Sequence, residues 1–188
     1  AGQDRLTWLT SLSSQIFTEN GSCEALFLDP QGRIRFAVGA VDDGDRVWLI
    51  VEGGAAVAAE LASFLQSMRF LLRVDVEDVS ACYRGFAWTV PFDRQGGAAA
   101  AAAASAAILW RDPWPDVLDG GTSYSSVQRH PAEGSRRLIA LVPAAQSAAF
   151  QSQWLEDFPG GVVVDAEAAS AWQVAAWRPS QAMVDAKS

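Results

Sequence analysis

The residues of this 188-residue chain whose types suggest chemistry stand together in SACYRGFAWTV, from Ser80 to Val90. A cysteine reacts as its thiolate, which cationic neighbours favour and carboxylates disfavour. The nearest charged residues upstream of Cys82 are the carboxylates Asp75, Glu77 and Asp78. Only Arg84 would favour the thiolate. The residues around Cys82 are of the types found in a strand. The sequence therefore predicts that Cys82 is a buried, unreactive strand cysteine.

Other catalytic and metal-binding patterns are missing from the sequence. The one histidine, His130, stands in VQRHPAEG, and without a second histidine or a CxxC pair it predicts no zinc site. The sequence has no GxSxG, GxGxxG or GxxxxGK[ST] motif, so neither a serine nucleophile elbow nor a nucleotide-phosphate loop is indicated. We therefore predict no metal and no catalytic residue, and interpret His130 as a surface or structural residue.

Charge and hydropathy exclude two classes of partner. The formal net charge is −8 and no cluster of Lys and Arg is present, whereas nucleic-acid surfaces need such clusters. No apolar run reaches the roughly 18–20 residues that a membrane-spanning helix needs. Two cysteines, Cys23 and Cys82, are too few for a disulfide scaffold. We expect a soluble, cytoplasmic protein that binds neither nucleic acid nor membrane.

The first half of the chain alternates between helical and extended patterns. Apolar residues at 6, 9, 12 and 16 predict a helix, with Asp4 as its N-cap. Extended runs at 25–28, 33–41 and 46–51, separated by DPQG and DDGD, predict an antiparallel meander. A second apolar stripe from Val57 to Leu72 predicts a helix. Strands are then predicted at 73–80 and 83–90.

The second half repeats this order after a low-complexity segment, 94–106, which we interpret as a linker. The patterns predict a helix over 144–158 after Pro143, a short helix capped by Asp165, and strands at 107–110, 136–142, 162–165 and 172–177. Residues 1–93 and 107–188 thus form two α+β halves of one module. The predicted fold class is α+β, with two pseudo-repeated halves of helix plus antiparallel sheet.

Three segments carry a resemblance to a known family: DRLTWLTSLSSQ at 4–15, LDPQGRI at 28–34, and the long run from Asp42 to Ser80. With LIALVP and WQVAAWRP later in the chain, they resemble the YgfZ/GcvT-like folate-binding proteins, in particular the actinobacterial YgfZ type. That family includes the aminomethyltransferase of glycine cleavage and the YgfZ branch linked to iron–sulfur cluster maintenance. The resemblance implies a folate-binding fold and tetrahydrofolate, or another folate, as ligand.

The family's signature, K-G-C-Y-x-G-Q-E, is not present in that form. ACYRG at 81–85 is similar to part of it but stands earlier in the chain than the family places it, without the flanking Lys-Gly and Gln-Glu. In the family the signature follows the segment similar to WQVAAWRP. We therefore expect the chain to be a fragment that lacks the C-terminal cysteine motif.

The resemblance also implies two site positions at which this sequence differs. Aminomethyltransferases carry an acidic residue just after the G-x-I turn, where this chain has Arg35 and Phe36, and a phenylalanine cannot transfer a proton. Their pterin-binding glutamate lies in a turn where this chain has Ser135, with Glu133 two positions away. Loss of a charged hydrogen bond costs about one to two decades in affinity. We expect weak or no tetrahydrofolate binding and no aminomethyl transfer.

Aromatic residues supply the remaining candidates for a ligand site. The chain has eight tryptophans, and a flat pteridine ring stacks well on such side chains. Core packing is the alternative explanation for each of them. The predicted ligand-binding residues, expected near the junction of the halves, are Trp110, Trp114, Tyr124 and Glu133.

Three functions remain open from the sequence. The first is a folate-binding-like protein of the YgfZ type, linked to iron–sulfur cluster maintenance or one-carbon metabolism and not a catalytic aminomethyltransferase. The second is a degenerate scaffold of the same fold that binds a protein partner through an acidic, tryptophan-rich surface. The third is a tetrahydrofolate-dependent aminomethyltransferase, which the phenylalanine at position 36 argues against.

Overall fold

A computed structural model of the chain describes residues 1–91, 106–116 and 129–180. These residues form two compact units, Ala1–Arg84 and Gly85–Pro179. Each unit combines helices with a small sheet, so the predicted α+β class is confirmed. The predicted linker at 94–106 lies almost entirely outside the described residues.

The first unit is built around an antiparallel meander in the order β1-β2-β3, as the sequence predicts. The turns DPQG and DDGD connect its strands, since Asp29 and Asp43 accept hydrogen bonds from backbone N–H groups that follow them. The elements are α1 (Arg5–Leu12), β1 (Ser22–Leu28), β2 (Ile34–Asp42), β3 (Val47–Val51) and α2 (Ala55–Ser67).

One apolar core holds this unit together. Side chains on β2 alternate between buried and less buried positions, so one face of the strand enters the core. Both helices contribute a buried pair of residues to the same cluster. Its buried members include Trp8, Leu9, Phe27, Phe36, Val38, Ala40, Leu61 and Leu65.

A charged pair connects α1 to the end of β2. Arg5 donates to the Asp42 carboxylate from Nε at 2.8 Å and from Nη2 at 3.2 Å. The backbone N–H groups of Asn20 and Gly44 donate to the same carboxylate. Burial opposes ionisation of Asp42, but the hydrogen bonds from Arg5 and the two backbone groups outweigh it and lower the pKa.

Asp4 precedes α1 as predicted, but its side chain does not cap the helix. The carboxylate instead accepts hydrogen bonds from the backbone N–H and the guanidinium of Arg73, at 2.8–3.0 Å. A charged partner distant in the chain has therefore replaced the local cap, because a bidentate guanidinium offers a carboxylate stronger hydrogen bonds than a helix amide.

The second unit contains a sheet in the order β4-β6-β5, in which β5 and β6 are antiparallel with Ile108 opposite Leu141. A 3-10 turn at Ala144–Gln146 follows Pro143 and leads into α3, where a helix is predicted. The elements are β4 (Tyr83–Pro91, which begins in the last residues of the first unit), β5 (Ile108–Arg111), β6 (Ser135–Pro143), α3 (Ser147–Asp157) and α4 (Ala166–Ala175).

Three predicted strands are wrong. Residues 73–80 and 162–165 form no strand, and Val162 to Val164 are exposed. Residues 172–177 continue α4 and the turn after it, because the Asp165 carboxylate caps this helix by accepting the Ala168 N–H at 2.8 Å and its alanines propagate it. A pattern of alternating residues is not sufficient where no neighbouring strand pairs with it.

The prediction for Cys82 is also wrong in its burial. Cys82 is exposed and lies in a turn, closed by its N–H bond to the Val79 carbonyl at 2.8 Å, immediately before β4. Asp78 accepts the Ser80 N–H and helps to form this turn. By contrast Cys23 is half-buried on β1, and burial raises the pKa of its thiol to about 11.

No helix in the described part of the chain combines the length and apolar character needed to cross a bilayer.

Candidate ligand site

A buried carboxylate lies where β5 ends. The side chain of Asp112 is only 1% exposed, and Arg178 donates to it from Nε at 2.8 Å. The backbone N–H of Trp114 donates to the other carboxylate oxygen at 3.0 Å. The Arg137 guanidinium lies 4.0 Å from the oxygen that Arg178 binds. Because a buried charge needs both a counter-ion and hydrogen bonds, these partners fix the start of the 112–116 loop.

A buried arginine fixes the rest of this loop. Arg136, on β6, donates from Nη1 to the carbonyl oxygens of Asp112, Pro113 and Trp114, at 2.9–3.3 Å. Its Nη2 donates to the Asp116 carboxylate at 2.6 Å. A guanidinium presents several donors in one rigid plane, so a single side chain holds the backbone of DPWPD in one conformation.

The end of α4 fastens the aromatic residues of the loop. Trp114 donates from Nε1 to the Ala176 carbonyl at 3.0 Å. Trp177 has a left-handed backbone conformation with φ of 51°, and its N–H donates to the Val174 carbonyl at 3.0 Å. The Arg178 N–H closes the same turn on Gln173. This turn leaves Trp177 53% exposed.

His130 stands beside both tryptophans. Its ring centre lies 5.2 Å from that of Trp114 and 5.6 Å from that of Trp177, with planes 79° and 82° apart. Such near-perpendicular contacts are a favoured arrangement of aromatic rings. We call Trp114, His130 and Trp177 the aromatic site. Trp114 lies on the loop that Arg136 holds, and Trp177 directly precedes Arg178, which pairs with Asp112.

Two exposed carboxylates border the aromatic site along the chain. The Asp116 side chain is 62% exposed although Arg136 binds one of its oxygens. The Glu133 side chain is 58% exposed, and its nearest cation is Arg129 at 3.7 Å. Glu133 follows His130 in a tight turn, since its N–H donates to the His130 carbonyl at 3.0 Å. Both carboxylates can accept further hydrogen bonds.

The predicted ligand-binding residues fall into different places. Trp114 is part of the aromatic site, and Glu133 lies on the adjoining turn. Trp110 is 2% exposed on β5 and packs in the interior. Tyr124 lies outside the described residues.

Sequence reasoning missed four residues of this region: His130, Arg136, Trp177 and Arg178. The WRP and RHP triplets could have identified His130, Trp177 and Arg178, whereas Arg136 lies outside both triplets. Proline restricts the preceding backbone to an extended conformation, so each triplet marks a fixed, non-helical position.

The structure also describes Phe36 and Ser135, the two positions at which this sequence differs from the family that it resembles. Phe36 is 2% exposed in the core of the first unit, 5.9 Å from Phe64 between ring centres. Ser135 opens β6, and its N–H donates to the Ala132 carbonyl at 3.1 Å. A buried aromatic ring has no proton to exchange with a substrate.

Comparison of the chain with models of protein families finds no match, and comparison with curated proteins finds none. Within residues 1–91, 106–116 and 129–180, no three His, Cys, Asp or Glu side chains come together as a metal site requires.

Proposed function

We propose that the chain is a non-catalytic, folate-binding-like module of the YgfZ type, and that a planar heteroaromatic ligand binds at the aromatic site. The observation that carries this proposal is the perpendicular contact of His130 with Trp114 and Trp177; of these residues, Trp114 lies on the loop that the buried Arg136 holds. Aromatic surfaces fixed before binding lower the entropic cost of stacking a flat ligand.

The ligand class is argued from the polar groups that adjoin the aromatic site along the chain. Pteridines present N–H donors along one edge, and the exposed carboxylates of Asp116 and Glu133 can accept them. Both carboxylates already have an arginine partner, which competes with the ligand. We therefore expect binding weaker than micromolar.

The absence of transferase activity is part of the proposal. Phe36 occupies the position at which the resembled aminomethyltransferases carry their acid, and its ring is buried. The pseudo-repeated folate-binding architecture, the cytoplasmic location and the link to iron–sulfur cluster maintenance or one-carbon metabolism belong to the same proposal. They are supported by the resemblance of the segments at 4–15, 28–34 and 42–80.

The test is isothermal titration of the chain with a reduced folate, in parallel with tryptophan fluorescence. We expect a dissociation constant above the micromolar range and its loss in Trp177→Ala. Trp177 is half-exposed, so its truncation should leave the fold intact. Trp48→Ala is the matched control, because Trp48 lies on β3 in the first unit.

Two results would contradict the proposal. Equal binding by the wild-type chain and Trp177→Ala would place the ligand elsewhere. The absence of any heat of binding at millimolar folate would exclude folates as ligands. A micromolar or tighter constant would show that the residues at positions 36 and 135 do not weaken the site as we expect.

A further inference from the structure

The hydrogen bond from Ala132 determines where His130 carries its proton. The Ala132 N–H donates to Nδ1 of the imidazole at 3.1 Å. A ring nitrogen that accepts a hydrogen bond carries no hydrogen, so the neutral ring must be protonated at Nε2. The local backbone therefore fixes the tautomer of His130.

The other ring nitrogen is a hydrogen-bond donor on a ring that contacts both tryptophans of the aromatic site. No described residue accepts a hydrogen bond from Nε2, whose ring is flanked by Trp114 and Trp177. Asp116, two positions after Trp114, and Glu133, three positions after His130, carry exposed carboxylates, which only accept. The site thus offers one neutral donor and two anionic acceptors.

We infer that His130 is the specificity-determining residue of this site and that its Nε2–H selects a ligand with a carbonyl oxygen on the ring edge. This inference rests on the proposed function and narrows its ligand class. Within the pteridines it favours a 2-amino-4-oxo ring over a 2,4-diamino ring, because an amino group at position 4 would place two donors face to face. Opposed donors reject a ligand more strongly than a missing contact does.

Two substitutions separate the donor from the local fold. The side-chain oxygen of His130→Asn lies near the place of Nδ1 and can still accept the Ala132 N–H, but the variant has no group at the Nε2 position. The longer side chain of His130→Gln carries its amide N–H to the Nε2 position and cannot serve Ala132 in the same way. The first variant therefore tests ligand selection, and the second restores the donor.

The experiment titrates pterin and 2,4-diaminopteridine into the wild-type chain and both variants, with tryptophan fluorescence as the readout. We expect the wild type to bind pterin at least about tenfold more tightly than the diamino compound. His130→Asn should lose this preference, and His130→Gln should retain it. Thermal melts should show no greater loss of stability for His130→Asn than for His130→Gln.

The outcomes distinguish this inference from the function on which it rests. If wild type binds pterin and His130→Asn keeps the full preference, the inference is overturned while the proposed function stands. A preference for the diamino compound in wild type also overturns it. If neither pteridine binds wild type at millimolar concentration, the proposed function fails and the inference fails with it.

Discussion

The interiors of the two units contrast. In the first unit one apolar cluster joins both helices to the meander, and Asp42 is the buried charged residue of its described part. In the second unit the apolar residues form small groups, around Phe150 and around Leu138. Charged and polar side chains are buried there as well: Asp112, Arg136, Gln173 and Arg178.

The second unit also contains two buried indole N–H groups without a hydrogen-bond partner, on Trp88 and Trp154. An unsatisfied buried donor costs free energy, and a buried ion pair often contributes less than a well-packed apolar group. The unpaired indoles oppose the stability of the second unit, and its buried charges hold the 112–116 loop in one conformation. A stable apolar core and a loop held by buried charges thus require different kinds of interior.

The largest expected effect is that of Asp112→Asn. The amide can still accept the Trp114 N–H, but the buried Arg178 loses its counter-ion. Such a change costs about 3–5 kcal/mol, and urea denaturation would measure it. Glu133→Gln is the control, because Glu133 and its partner Arg129 are both exposed and the loss of this pair should cost below about 1 kcal/mol. Equal costs for the two variants would mean that the second unit does not depend on its buried charge.

The corresponding change in the first unit is Leu61→Ala. Leu61 is 4% exposed in the apolar cluster, so we expect a loss of about 3 kcal/mol from the cavity that forms. The loss comes from missing apolar packing, so Leu61→Met, which keeps most of the volume, should cost below about 1.5 kcal/mol. A loss from Leu61→Met as large as that from Leu61→Ala would break the contrast between the two interiors.

A smaller effect is expected from acid on the first unit. The hydrogen bonds to Asp42 hold its folded-state pKa below its unfolded value. Its contribution is therefore complete above the unfolded pKa, near 3.9, and is lost as the pH falls through the folded pKa. We measure the free energy of unfolding by urea denaturation at several pH values across this range. It should fall less steeply with decreasing pH in Asp42→Asn than in the wild type. An unchanged pH dependence of the free energy of unfolding would mean that other carboxylates cause the acid sensitivity.

The smallest effect concerns reactivity and leaves stability unchanged. Cys82 is exposed and Cys23 is half-buried, with a thiol pKa raised to about 11 by its burial. A thiol reagent at neutral pH should label Cys82 rapidly and Cys23 slowly. Cys82→Ser should remove the rapid phase. If the rapid phase persists in this variant, the core of the first unit opens more readily than its packing indicates.

Local patterns predicted the elements that local forces determine. The meander follows from alternating periodicity, and the Asp165 cap from its position before an alanine-rich run. Helical periodicity predicts α2, but the helix ends at Ser67 whereas the predicted stripe continues to Leu72. The predicted helix at 6–16 ends at Leu12, and Ile16 is 75% exposed. Residues 162–165 and 172–177 were mistaken for strands, because short apolar runs fit a strand or a helix until tertiary contacts decide.

The site was predicted only in part for a related reason. Trp114 and Glu133 were identified by type and by their place in loops, whereas His130 was interpreted as surface or structural. Its importance depends on Trp177, which is 47 positions later in the chain, and on the proton placement that Ala132 imposes. Contacts between distant positions leave no periodic trace in the sequence, so no local pattern could have grouped these residues.

The pairing of Asp112 with Arg178 has a consequence for biosynthesis. The two residues are 66 positions apart, so a ribosome that adds about 5–20 residues per second needs roughly 3–13 s to supply the second after the first. During that interval Asp112 lacks its closest cation, so the start of the DPWPD loop is not yet fixed, although Arg136 follows Asp112 by only 24 positions. We therefore expect the second unit to fold late during translation, once α4 and the Arg178 that follows it have been synthesised.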